Sequence, residues 1–173
     1  MEILNHRKRK GILMKVLIKN RQNLIKIKRQ KIRRDSAALL RLLRLKDAEL
    51  SILFVNDRQM KELNHKYRGI DRTTDVLSFP QYERSALRTP PYPPLSKGGT
   101  EEGVVLGDIV INLQAAKRQA HEDGLSFTGE LQWLLVHGVL HLIGYDHERS
   151  KYAERKMRTM EKELLGHLGR SKN

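Results

Sequence analysis

The stretch Leu135-Val136-His137-Gly138-Val139-Leu140-His141-Leu142-Ile143-Gly144-Tyr145-Asp146-His147 decides how this chain is read, because it sets three imidazoles where one cation can collect them. His137 and His141 are four residues apart, so on a helix their side chains lie one turn apart on the same face. Just beyond His141, Gly144 can take the positive φ that ends a helix, which turns the chain and lets His147 swing back as a third ligand. Two unpartnered imidazoles on so apolar a helix would be costly, and a shared metal ion relieves both together. The competing reading, histidines hydrogen-bonded inside a buried helix, suits a lone histidine better than this spaced set.

Three neutral imidazoles with no cysteine in the run suit zinc, ahead of nickel, iron(II) or copper(II). Structural zinc sites close four positions with protein ligands, mostly cysteines, whereas catalytic sites commonly supply three and leave the fourth open. One Zn2+ per chain, in a catalytic and not a scaffolding site, is the expectation. The spacing His-x-x-x-His-x-x-Gly-x-x-His is that of the long zincin motif, whose proteases carry a glutamate general base after the first histidine. Here that position is Gly138. A metallopeptidase would lack its base, so peptide hydrolysis is a minor reading.

At 173 residues the chain suits one domain with a sizeable core, and it contains no cysteine, which excludes disulfides and thiolate chemistry. The apolar run around the histidines is too short and too broken to cross a bilayer. Arg7-Lys8-Arg9-Lys10 ahead of Gly11-Ile12-Leu13-Met14 has the look of a secretory signal, but Lys15 interrupts the apolar stretch and no small-residue cleavage site follows. A cytoplasmic protein without membrane partners is expected. The net charge is +14, and residues 1–34 hold 13 Lys and Arg against one acid. Such a basic strip suits a phosphate backbone, although a solvated basic face has the same composition.

The apolar patterning outlines β-α-β-α-β-β-α-α-α. Met14–Asn20 alternates as a strand, Lys28–Leu45 has helical spacing, and Leu50–Val55 is a second strand. Asn56 or Asp57 caps a helix through Met60, Leu63 and Tyr67 that stops at Gly69. Asp75–Phe79, closed by Pro80, and Val104–Ile111 are further strands. Asn112 opens a helix to Asp123-Gly124, Ser126 or Thr128 caps the histidine helix, and a final helix runs from Ser150 to Leu165. Between two strands, residues 82–103 hold Pro90, Pro91, Pro93, Pro94, Gly98 and Gly99, the composition of a loop or insert; with Tyr92 it is also a candidate ligand for a proline-binding domain.

The histidine stretch, taken with Leu63-Asn64-x-x-Tyr67-Arg68, Thr74-Asp75-Val76-Leu77-Ser78-Phe79-Pro80 and Gly107-Asp108-Ile109-Val110-Ile111, resembles the YbeY family from about Met14 to the C-terminal helix. The resemblance implies a compact α/β domain with a small mixed sheet packed by helices and a zincin-like zinc site on His137, His141 and His147. It also implies a single-strand-specific metallo-endoribonuclease of 16S rRNA 3′-end maturation and late ribosome quality control, with rRNA and the small ribosomal subunit as partners. The family's important arginine falls on Arg68. On this frame residues 14–167 form the domain, 168–173 a tail, and residues 1–13 an extension ahead of a start at Met14. Two further departures are Thr73, where the family usually has proline, and the length of 82–103.

In the implied chemistry the forked guanidinium of Arg68 holds a non-bridging phosphate oxygen and stabilises the charge of the transition state. Asp146, beside His147, is a candidate base or an orienting group for a histidine, and Asp75 is a weaker candidate whose other role is a turn cap. Few aromatics are present for base stacking, so strong base specificity is not expected. The alternative function is a non-catalytic, zinc-stabilised ribosome assembly factor. Oligomeric state is not legible in the sequence.

Overall fold

Each apolar run expected to be a strand is one in this computed structural model, which describes residues 14–45, 47–81 and 104–170. The expectations for 1–13, for the basic run Arg7–Lys10 and for the insert 82–103 lie outside the described residues. The elements are β1 (Lys15–Asn20), α1 (Arg29–Leu42), β2 (Ala48–Val55), α2 (Asp57–Arg68), β3 (Val76–Pro80), β4 (Val104–Asn112), α3 (Leu113–Glu122), α4 (Phe127–Leu142) and α5 (Lys151–Arg170). The expected order is reproduced.

One sheet runs β1-β2-β4-β3, with β1, β2 and β4 parallel and β3 antiparallel at the edge. β2 is buried along its whole length, as a central parallel strand covered on both faces must be. Its one acid, Glu49, is paired with Lys15 of β1 at 3.3 Å. Side-chain alternation then divides the core in two. Leu50, Ile52, Phe54, Ile109 and Ile111 face a large cluster formed with α1, α4 and α5, while Leu53, Val55, Leu77 and Val110 meet Met60 of α2 in a small one.

Helix ends follow local chemistry. Asn56 and Gln59 form a reciprocal capping box at α2, worth about 1 kcal/mol. Gly69 ends that helix at φ +69°, a conformation glycine adopts without Cβ strain. The Asn112 side chain accepts from Gln114 and Ala115 to cap α3, and its amide donates to Asp57 and to the Thr73 hydroxyl at 2.7 and 3.0 Å. Thr73 thereby ties its loop to the fold through a hydroxyl that proline lacks, so the departure from the usual proline keeps the loop anchored.

Several boundaries differ from expectation: α1 stops at Leu42, short of Leu45, and β3 takes in Pro80. β2 begins at Ala48, before Leu50, because pairing with β1 and β4 recruits Glu49. α5 continues beyond Leu165 to Arg170, and Leu168 is buried in the large cluster, so 168–170 are helix and not tail. The spacing Met157, Leu164, Leu168 carries one apolar stripe through both segments. No helix among the described residues is long and apolar enough to cross a membrane.

Candidate metal centre

α4 is apolar almost all round, as a helix buried between a sheet and other helices must be. Ser126 caps its first turn by accepting from the Gly129 N–H. Gly138 lets it press against β4: a Cβ there would lie 3.0 Å from two side-chain carbons of Ile109. A side chain at the position that carries glutamate in zincin proteases would therefore need Ile109 to give way here. Ser78 of β3 donates to the Gly138 carbonyl at 3.2 Å, fixing the edge strand against α4 beside His137.

The helix ends as the glycine predicts. Gly144 has φ +97°, its N–H donates to the His141 carbonyl, and Tyr145 N–H reaches back to Leu140. This turn brings His147 to the other two, and ligand-capable atoms of His137, His141 and His147 all lie within 4.8 Å of one another. Nε2 of His137 and Nε2 of His141 are 3.0 Å apart, a separation at which two bare lone pairs would repel. A proton or a cation between them would relieve that repulsion. Tetrahedral coordination with Zn–N near 2.0–2.1 Å needs nitrogens about 3.4 Å apart, close to this spacing. All three rings are half-buried, open enough to exchange with solvent.

The outer nitrogens are held differently. His137 Nδ1 lies 2.7 Å from Glu161 Oε1 of α5, and the Trp133 ring stacks on the imidazole at 4.8 Å. His141 Nδ1 is 3.0 Å from the Tyr145 carbonyl, so the turn that delivers His147 also orients His141. His147 Nδ1 is buried without a hydrogen-bond partner among the described residues. Burial, followed by the neighbouring imidazoles of His137 and His147, holds His141 below the ordinary histidine value of 6.5, against the opposing effects of the Tyr145 carbonyl and Asp146. A ring kept neutral in this way can offer its lone pair to a cation.

Arg68 is the last residue of α2 and is exposed. Its motif partners have packing roles: Asn64 is buried and donates to the Arg72 carbonyl at 2.7 Å, and Tyr67 meets Phe79 of β3 edge-on at 5.1 Å. The edge strand thus alternates between the two groups, with Ser78 on the histidine side and Phe79 on the Tyr67-Arg68 side. No hydrogen bond joins Arg68 to the imidazoles among the described residues. Asp146 spends its oxygens on the turn, accepting from Glu148 N–H at 3.1 Å and pairing with Arg149 at 3.3 Å. Asp75 likewise accepts from Val76 N–H, the Thr74 hydroxyl and Gln119. Glu161 and Trp133 escaped the sequence reading; the one available signal was a carboxylate at a position where the stripe of α5 calls for an apolar residue.

Together these features define a class, an α/β domain whose buried helix and following turn present a three-histidine group that could hold a cation. The family model described as Endoribonuclease YbeY matches residues 17–169. Endoribonuclease YbeY of Pelotomaculum thermopropionicum is 50% identical over 123 residues, 70% of this chain and 73% of that protein. The Aquifex aeolicus Endoribonuclease YbeY is 39% identical over 86% of this chain and 92% of its own length. The chain belongs to the YbeY endoribonuclease family. The solution structure of TM1509 from Thermotoga maritima shares the fold, with a TM-score of 0.57, 24% identity, and coverage of 91% of this chain and 93% of that one.

Proposed function

We propose that this protein is a zinc-dependent endoribonuclease that cuts single-stranded RNA, acting with the small ribosomal subunit on the 3′ end of 16S rRNA and in late ribosome quality control in the cytoplasm. The observation that carries the reading is the convergence of His137, His141 and His147, half-buried, in a chain of this family. A zinc ion bound there would supply a Lewis acid and lower the pKa of a coordinated water to about 7. Buried and neutral, His141 is ready to ligate without first losing a proton.

Arg68 is assigned the phosphate: an exposed guanidinium at the end of α2 can fork onto a non-bridging oxygen and offset charge that grows in the transition state. The exposed Lys26, Lys28, Arg29, Arg33 and Arg34, before and along α1, add a basic strip suited to the RNA backbone. Flexible single strands can bend into a cleft that a stiff A-form helix cannot enter. Asp146 remains in the scheme as an orienting group of the turn, since Arg149 and Glu148 already occupy its oxygens. Gly138 argues against the peptidase reading, since the zincin glutamate is absent there and a Cβ would already press on Ile109.

The test is cleavage of a single-stranded RNA carrying the 16S 3′ end by the wild-type protein and by His141→Ala, with circular dichroism on both. Metal-dependent cleavage by the wild type, lost in a folded variant, is expected. Equal cleavage by both would point to a contaminating ribonuclease and favour the non-catalytic assembly factor.

A further inference from the structure

We propose that Glu161 is the positioning residue of the histidine cluster: its carboxylate fixes the ring of His137 through Nδ1, and loss of its charge weakens cation binding even where the metal-free fold is kept. The inference rests on the metal reading given above. The buried stripe of α5 is Met157, Glu161, Leu164 and Leu168, three core apolar side chains and one carboxylate only 8% exposed. For stability alone an apolar residue belongs at that position, because a buried carboxylate gives up its hydration and recovers it only through well-placed partners. The partner here is His137 Nδ1 at 2.7 Å, the length of a charge-assisted hydrogen bond.

The consequence lies at the opposite nitrogen. With its Nδ1 proton held by Glu161, the neutral His137 ring has its lone pair on Nε2, the atom 3.0 Å from His141 Nε2 and facing the cluster. Trp133 stacks on the same ring, so the imidazole is held in plane as well as in rotation. His141 is backed by a neutral carbonyl and His147, among the described residues, by no hydrogen bond at Nδ1. Among the three rings, His137 is the one backed by a carboxylate, which both orients it and makes it a stronger donor to a cation.

A purely structural tie between α4 and α5 predicts a weaker metal-free fold with unchanged affinity, so the zinc affinity is what separates the two. The experiment uses the full chain stripped of metal, as wild type, Glu161→Leu and Glu161→Gln. Thermal unfolding is followed in excess chelator, and zinc affinity is measured by competition with a chromophoric chelator, with cobalt(II) absorption reporting ligand geometry. Glu161→Leu leaves His137 Nδ1 without its partner, so it is expected to unfold below the wild-type temperature and to bind zinc about 10–100-fold more weakly. Glu161→Gln, nearly isosteric and still able to accept from Nδ1, is expected to lie between them. Unchanged zinc affinity in both variants, with metal bound by the wild type, overturns this inference alone. A wild-type chain that binds neither zinc nor cobalt overturns the metal reading itself.

Discussion

The two faces of the sheet carry the two halves of the proposed chemistry on very different foundations. On one face α1, α4 and α5 pack into a large cluster, and His137 and His141 stand on the most buried of these helices, with His147 on the turn that follows it. On the other, Leu53, Val55, Leu77 and Val110 meet chiefly Met60, and Arg68 sits exposed at the end of the one helix in that cluster. Ligands for a cation need fixed nitrogens, since misplacement is repeated in every coordination bond. An arginine that meets a phosphate needs reach, and a thinly packed helix end leaves it free. The edge strand β3 joins the two faces, with Ser78 against α4 and Phe79 against Tyr67.

The largest effect that would break this contrast is at Arg68. Arg68→Ala should lower RNA cleavage by about 10²–10³-fold while leaving metal content and unfolding temperature unchanged, the loss typical of one transition-state donor. Arg68→Lys should restore only part, for want of the fork. Cleavage at the wild-type rate by Arg68→Ala would remove this face from the chemistry.

A substitution on the large face should behave in reverse. In Gly138→Ala the new Cβ would sit 3.0 Å from carbons of Ile109, a residue of the large cluster. Loss of about 1–3 kcal/mol in denaturant unfolding is expected from overpacking, with partial recovery when Ile109→Val is added. If Gly138→Ala is neutral, α4 is held less rigidly than the contrast requires.

The smallest effect is one of pH. Folded His141 is held below 6.5, chiefly by burial, so on acidification the unfolded chain takes up this proton first. Its contribution to stability is therefore present above pH 6.5 and lost as pH falls below it, at most about 1.4 kcal/mol per pH unit. Glu130, raised above its ordinary 4.5 by burial and then by Asp123 and Asp75, acts with the opposite sign, adding relative stability as the pH falls. In metal-free protein, unfolding midpoints measured between pH 7.5 and 5.5 should decline less steeply in His141→Gln than in wild type. Parallel declines would mean that the ring is not buried as described.

Much of this protein was determined by its sequence alone, wherever the physics is local. Helical spacing put His137 and His141 on one face, Gly144 announced the turn, and Asn56, Asn112 and Ser126 announced their helices, because capping and chain reversal act within a few residues. Only the tertiary structure decided what depends on distant segments meeting. It ran α5 on to Arg170, gave Asp146 and Asp75 to turns, made Gly138 a packing residue, and set Glu161 against His137 across 24 positions of chain. Periodicity records which residues share a face of one helix, but the partner a buried carboxylate finds depends on how two helices pack.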